Sequence, residues 1–130
     1  MPKVLDSSAL LAFLRNEPGA DKVAPELLGG LISSVNLAEA LLVLCRGGLP
    51  LQMAQLALQK THVVVVDFTA EHAAIATRLM NDYPEFRQRG ISFGDRACMA
   101  TAIQRGVPVL TADSAWQSVA VEGLSPIFVR

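Results

Sequence analysis

The sequence contains few cysteines and no cysteine–histidine pattern of the kind that binds zinc. Only two of its 130 residues are cysteine, Cys45 and Cys98. Both fall in apolar helical patterns and have no metal-ligand spacing. They are typical of small core residues in a protein kept in a reducing compartment, so we expect a cytoplasmic protein.

Long hydrophobic runs are also missing. The N-terminus lacks the charged-then-apolar profile of a signal peptide. A membrane span needs about 20 largely apolar residues. The longest weakly charged run, residues 27–45, is interrupted by glycine, serine, Asn36 and Glu39. We therefore expect no membrane association.

Charge is scarce, and low-complexity tracts, linkers and internal repeats are absent. Hydrophobic residues make up 52% of the sequence and charged residues 18%. A chain of this length can bury roughly two-thirds of its unfolded surface, so we predict a single domain over residues 1–130. The net charge of −1 argues against a protein held to nucleic acid by its overall charge. It does not exclude an enzyme that acts on nucleic acid through bound cations.

Short apolar runs alternate with helical patterns along the chain. Strands are predicted at 3–6, 30–33, 63–66, 107–111 and 125–129, the last at an edge of the sheet. Helices are predicted from residue 8 to the Pro18-Gly19 pair and at 20–28, 36–46, 50–60, 69–81 and 93–105, with a polar loop at 83–92. The four valines at 63–66 are expected to form a strand buried on both faces. This order predicts an α/β fold with a central, mostly parallel sheet of four to five strands, flanked by helices on both faces.

Four acids follow the predicted strands or open the helices after them: Asp6, Glu39, Asp95 and Asp113. In such folds, functional groups gather beyond the carboxyl ends of the strands. Taken singly, each aspartate could cap a helix or turn, and Glu39 could lie on a narrow solvent-facing stripe of an apolar helix. As a set, four neighbouring carboxylates would repel one another unless a divalent cation held them. Mg²⁺ and Mn²⁺ prefer such hard oxygen ligands.

The segments that carry these acids resemble the signature segments of the PIN-domain family, most closely those of VapC-type ribonuclease toxins. They occur in the family's order, span nearly the whole chain and lack none of the acids. They are VLDSSAL (4–10), SSVNLAE (33–39), FGDRAC (93–98) and LTADSAW (110–116). The resemblance implies a PIN-like fold and an acidic catalytic site.

The resemblance also assigns roles to individual acids. It makes Asp6, Glu39, Asp95 and Asp113 catalytic, with Asp6 and Asp95 as direct ligands of Mg²⁺, for which Mn²⁺ could substitute. Glu39 and Asp113 would bind a second ion or act through water.

Five further residues are candidates for supporting roles. Ser7 and Thr111 match hydroxyl positions that orient carboxylates or waters. Arg96 either contacts a substrate phosphate or balances the acids. Arg87 and Arg89, in the loop before Asp95, either contact an RNA backbone or form a solvated face.

The implied reaction is hydrolysis of an RNA phosphodiester. A metal-activated water would attack in line and leave a 5′-phosphate and a 3′-hydroxyl. The resemblance further implies a cognate antitoxin that blocks the activity, and a homodimer. The predicted helix at 50–60 has more apolar surface than one core face needs, which makes it a candidate for either contact.

Two alternatives remain open. Another Mg²⁺-dependent phosphohydrolase could use Asp6 as a nucleophile, but such enzymes usually carry a second acid two residues later, where this chain has Ser8. A non-catalytic PIN-like module could bind RNA or protein, but it would have no need of four clustered acids.

Overall fold

Five short parallel strands form one sheet in the computed structural model, which describes residues 1–130. The spatial order of the strands is β3-β2-β1-β4-β5, and every neighbouring pair is parallel. The predicted parallel α/β sheet is therefore confirmed, with five strands. They are β1 (Val4–Leu5), β2 (Leu31–Ser33), β3 (Val64–Val66), β4 (Val109–Thr111) and β5 (Pro126–Phe128).

Helices cover both faces of this sheet, as predicted. Successive strand residues point to opposite faces. Val4 accordingly joins one core, with Leu79 and Met99, whereas Leu5 joins the other, with Leu10. None of the helices is long and apolar enough to cross a membrane. They are α1 (Ser7–Leu14), α2 (Ala20–Val23), α3 (Ser34–Arg46), α4 (Leu51–Gln59), α5 (Ala70–Asp82) and α6 (Phe93–Arg105), with 3₁₀ turns at Ala24–Glu26, Pro84–Phe86 and Ser114–Ser118.

Three predicted helix boundaries were wrong. Helix α1 ends at Leu14, before the Pro18-Gly19 pair at which its end was predicted. The other two were wrong for local reasons. The helix expected at 20–28 stops being α-helical at Val23 and continues as a 3₁₀ turn that contains Pro25, which has no backbone N–H to donate. Helix α3 begins at Ser34 rather than at residue 36. Its N-cap is Ser33, whose hydroxyl accepts a hydrogen bond from the N–H of Val35 at 3.2 Å.

The valine strand is an edge strand, which corrects the prediction that it is buried on both faces. Strand β3 pairs only with β2. Val64 and Val65 are 52% and 45% exposed, and only Val66 is buried. The β-branched composition predicted the strand correctly, but composition does not specify how many neighbours a strand has.

The polar loop predicted at 83–92 is anchored by one aromatic side chain. Phe86 lies in the 3₁₀ turn and is fully buried in the core that contains Val4. Its ring stacks on that of Tyr83, with 5.3 Å between centroids. The loop is therefore held against the α5–α6 side of the molecule.

Replacing Phe86 should destabilise the protein strongly. Phe86→Ala leaves a cavity in a packed core, so we expect the free energy of unfolding to fall by about 3–5 kcal/mol. Urea unfolding followed by circular dichroism measures this. Arg87→Ala, at the exposed neighbouring position, is the control and should change the free energy by less than about 0.5 kcal/mol. Equal effects of the two substitutions would show that the loop is not anchored by Phe86.

Candidate active site

The four predicted acids lie together at the carboxyl edge of the sheet. Asp6 directly follows β1, Asp113 follows β4, Glu39 lies on α3 after β2, and Asp95 lies in the first turn of α6. The charges of Asp95 and Glu39 both raise the pKa of Asp6, and that of Asp113 raises the pKa of Asp95. These four side chains, here called the acidic cluster, thus share one region of negative potential.

Asp6 is the most enclosed member of the cluster. Its side chain is 2% exposed and accepts hydrogen bonds from the Ser7 N–H at 3.0 Å, the Ser8 hydroxyl at 2.7 Å and the Thr111 hydroxyl at 3.0 Å. Burial raises the pKa of Asp6 from 3.8 to about 7. The hydroxyl of Ser8 opposes this rise, and the charge of Asp95 adds to it. The donors therefore only partly compensate for the loss of solvent.

Asp95 is part of a capping box at the start of α6. Its Oδ2 accepts from the Ser92 N–H at 2.8 Å, and its own N–H donates to the Ser92 hydroxyl at 3.1 Å. Burial raises the pKa of Asp95 despite these bonds. The buried indole N–H of Trp116 makes no hydrogen bond of normal geometry, but it lies close enough to lower the pKa of this carboxyl.

Asp113 caps the 3₁₀ turn that follows β4. Its Oδ1 accepts from the Ala115 N–H at 2.9 Å, and its own N–H donates to the Thr111 hydroxyl at 3.0 Å. Thr111 therefore contacts both Asp113 and Asp6, while Ser7 donates to Glu39 at 3.1 Å. Ser7 and Thr111, the two residues predicted to orient carboxylates, therefore each donate a hydrogen bond to a carboxylate of the cluster.

Glu39 is half-buried on α3. Most of α3 is partly open to solvent, with only Asn36, Ala40 and Leu44 buried. Glu39 Oε1 accepts from the Ser7 hydroxyl and, at 2.9 Å, from the side-chain amide of Asn36. The helix has a polar stripe at Asn36 and Glu39, and this stripe faces the acidic cluster.

Three residues of the site were missed by sequence reasoning. Ser8 donates a hydrogen bond to Asp6, but the sequence pattern pointed to it only as the position at which a second acid is absent. Asn36 lies three residues before Glu39, a spacing that places both on one helix face. Gly94 lets α6 approach Glu39, because a Cβ at this position would stand 2.0 Å from Glu39 Oε2. The spacing of Asn36 was the one signal that could have been used.

The sequence matches the PIN domain family over residues 3–122. The chain belongs to the PIN domain family. A comparison with curated protein sequences finds no significant match.

Solved structures of toxin–antitoxin complexes resemble this PIN domain. One is a DNA-bound VapBC from Salmonella typhimurium, with a TM-score of 0.74, 17% identity and full coverage of both chains. Another is VapBC2 from Rickettsia felis bound to a promoter DNA fragment, with a TM-score of 0.70, 18% identity and 98% coverage of both chains. A toxin–antitoxin complex from Klebsiella pneumoniae gives a TM-score of 0.73 at 14% identity, covering 94% of each chain. At these identities the likeness shows a shared fold.

The three arginines predicted as possible substrate contacts lie in different surroundings. Arg96 donates from Nη1 to the carbonyl oxygen of Ala76 on α5 at 2.9 Å and lies 5.7 Å from the Phe93 ring centroid. Its guanidinium thus joins α6 to α5. Arg87 is exposed, and Arg89 donates to the carbonyl oxygen of Ser118 at 3.2 Å, next to the turn that Asp113 caps.

The acidic cluster has the donor chemistry that Mg²⁺ or Mn²⁺ requires. Glu39 Oε2, Asp95 Oδ1 and Asp113 Oδ2 accept no hydrogen bond of normal geometry, although Glu39 packs against Gly94 and the Trp116 indole N–H lies near the Asp95 carboxyl. No three acidic, histidine or cysteine side chains are arranged to hold a metal ion in this structure. The carboxylate chemistry of the cluster suits a divalent cation, but the side chains as they stand do not form a closed set of ligands for one.

The raised pKa of Asp6 predicts an unusual dependence of stability on pH. Between pH 3.8 and about 7 the folded PIN domain binds more protons at Asp6 than the unfolded chain does, so stability should fall as pH rises through this window. In EDTA, we expect the free energy of unfolding to drop by on the order of 2–4 kcal/mol from pH 4.5 to 7.5. Asp6→Asn should flatten this slope because asparagine does not titrate.

Thermal and urea unfolding at both pH values measure the effect. Asp67→Asn is the matched control, since Asp67 also follows a strand at this edge but is exposed. This control should keep the wild-type slope. If Asp6→Asn and the wild type show the same slope, Asp6 does not carry the raised pKa.

Proposed function

We propose that this PIN domain is a Mg²⁺-dependent endoribonuclease and the toxin of a toxin–antitoxin pair, acting in the cytoplasm. The observation that carries the proposal is the acidic cluster, where burial and mutual repulsion raise the pKa of Asp6 and Asp95. A hard divalent cation would relieve this repulsion and keep both side chains ionised. Mn²⁺ would substitute for Mg²⁺.

In this proposal Asp6 and Asp95 are the direct metal ligands. Glu39 and Asp113 bind a second ion or act through water. When bound, Mg²⁺ supplies a water activated for attack on the phosphodiester and offsets charge on the leaving oxygen. The hydrolysis leaves a 5′-phosphate and a 3′-hydroxyl. The protein's own contribution is to hold the carboxylates in place through Ser8 and other hydrogen-bond donors.

Side chains around the cluster suit an RNA strand. Arg87 and Arg89 lie on the exposed loop beside the Asp113 turn and would contact backbone phosphates. Phe93 is half exposed in the same helical turn as Asp95 and offers a ring face on which an unpaired base could stack. Arg96 is already engaged with α5, which favours a packing role over phosphate binding.

An apolar surface supports the partner part of the proposal. Leu51, Met53 and Leu56 on α4 are exposed, and a separate open groove of about 220 Å³ lies between α3, α4 and β3. The two proposed partners are a cognate antitoxin and a second copy of the chain. Either partner would bury apolar area on α4 or in this groove. The groove is lined by six apolar residues and two glutamines: Ile32, Leu37, Leu41, Leu58, Val63, Val65, Gln55 and Gln59.

The geometry argues against an aspartyl nucleophile. Both oxygens of Asp6 accept hydrogen bonds, and its side chain is almost fully buried. Ser8, at the position of the second acid in such enzymes, donates to Asp6. Three of its roughly four lone-pair sites are used, which leaves one for a cation. Attack on a phosphodiester would also need the second acid that this chain lacks, so water remains the proposed nucleophile.

Removing either proposed metal ligand should abolish cleavage. Asp6→Asn and Asp95→Asn should keep the circular dichroism spectrum of the wild type and lose Mg²⁺-dependent cleavage of single-stranded RNA by about 100-fold or more. Asp67→Asn, an exposed acid at the same edge, should cleave at the wild-type rate. Full activity in EDTA, or in either cluster variant, would refute the metal-dependent nuclease.

Charged residues on α4 should disrupt self-association. We expect a dimer by light scattering for the wild type and a monomer for the double variant Met53→Glu/Leu56→Glu, because burying two carboxylates is unfavourable. Leu28→Glu serves as the control, since Leu28 is 83% exposed and lies on a different segment. A monomeric wild type would remove the homodimer from the proposal.

A further inference from the structure

A single buried amide joins two elements of the acidic cluster. Asn36 is fully buried on α3, and its Nδ2 donates to Glu39 Oε1 at 2.9 Å and to the carbonyl oxygen of Gly94 at 2.9 Å. Both amide hydrogens are therefore used. One goes to an acid on its own helix, and the other goes to the first turn of α6, one residue before Asp95.

The orientation of this amide is determined by its neighbours. Rotating the Asn36 amide by half a turn would place Oδ1 against Glu39 Oε1 and Gly94 O, which are both acceptors. In the orientation present, Oδ1 is buried and has no hydrogen-bond partner. A buried, unpaired amide oxygen costs stability. Asn36 therefore does not contribute to stability as an apolar core residue would. Its side-chain hydrogen bonds go only to Glu39 and to the Gly94 backbone on α6.

Gly94 completes the contact from the opposite side. A Cβ at this position would lie 2.0 Å from Glu39 Oε2 and 2.8 Å from Oε1. The carboxylate of Glu39 therefore packs directly against the backbone of the first turn of α6. Any side chain at residue 94 would displace the carboxylate from this place.

Ser7 adds a third constraint on the same carboxylate. Its hydroxyl donates to Glu39 Oε1 at 3.1 Å from the first turn of α1, the helix that Asp6 caps. Glu39 is thus held from α1, α3 and α6 at once. Oε2 accepts no hydrogen bond and faces the turn that carries Asp95.

We propose that Asn36 is a positioning residue which, together with Gly94, holds Glu39 beside the turn of α6 that carries Asp95, so that Glu39 contributes to the binding of a divalent cation by the acidic cluster. This proposal rests on the metal-dependent function proposed above. Asn36 touches neither substrate nor cation in this proposal and acts only through Glu39. Loss of such a supporting contact typically weakens metal affinity by about 10- to 100-fold.

The test compares Mn²⁺ affinity, RNA cleavage and melting temperature across variants. Mn²⁺ binding is measured by titration with electron paramagnetic resonance, which does not depend on turnover. Asn36→Ala should weaken Mn²⁺ binding by about 10- to 100-fold and slow cleavage. Leu44→Ala is the matched control, because Leu44 is buried on the same helix but does not contact the acidic cluster. It should lower the melting temperature and leave Mn²⁺ affinity at the wild-type value.

Gly94→Ala provides a second variant that tests the contact without emptying the core. Alanine is the better helix former, and the atoms it would meet are at the end of the flexible Glu39 side chain, so the protein should fold. We expect Glu39 to be displaced and Mn²⁺ affinity to fall as in Asn36→Ala. Asn36→Asp, which places an acceptor opposite Glu39 at unchanged size, should weaken binding as much or more.

The outcomes separate this proposal from the proposed function. Glu39→Gln is the reference. If it loses Mn²⁺ affinity while Asn36→Ala and Gly94→Ala both bind like the wild type, the positioning role is wrong and the metal site stands. If the wild type itself binds no Mn²⁺, or if Glu39→Gln binds normally, the proposed metal site or the role of Glu39 fails, and the positioning role fails with it.

Discussion

The burial of several carboxylates close together at the carboxyl edge of the sheet is the constraint on which the rest of the site depends. In a parallel sheet every strand ends at the same edge, so acids that follow β1 and β4 lie near each other. Helices α3 and α6 add Glu39 and Asp95 to the same place. Burial of the Asp6 carboxyl is the main reason that its pKa rises to about 7, and the charges of Asp95 and Glu39 add to the rise. The fold thus holds charges together at a cost in stability.

Hydrogen-bond donors from the chain offset only part of this cost. The hydroxyls of Ser8 and Thr111 lower the pKa of Asp6, and the backbone N–H and hydroxyl of Ser92 lower the pKa of Asp95. Both pKa values nevertheless remain raised. Beneath the cluster, burial and the three nearest acids raise the pKa of the Cys98 thiol well above its ordinary value. That thiol is fully buried and stays protonated, so it is a packing residue and not a ligand.

The sequence predicted the features that depend on local residue patterns. It missed those that depend on contacts with residues far away in the chain. Alternating apolar runs predicted the parallel sheet, and the positions of the acids after strands and at helix starts predicted that they lie near one another. The same reasoning placed β3 in the interior, because β-branched residues specify a strand without specifying its neighbours. Arg96 is next to Asp95 in sequence, but one helical step rotates it by about 100° toward α5. Asn36 looked like an ordinary helical residue because its partner Gly94 is 58 residues away.

Capping and metal binding are compatible roles for the same acids. Asp95 and Asp113 each bond a backbone N–H with one oxygen, which fixes the carboxylate and leaves the second oxygen available. A helix cap would therefore orient the proposed ligand before a cation binds, and rigid orientation is what a binding site requires. Glu39 lies in the second turn of α3, where no free backbone N–H is within reach. Side chains must supply the donors that backbone groups supply elsewhere, and this explains why Asn36 and Ser7 converge on Glu39.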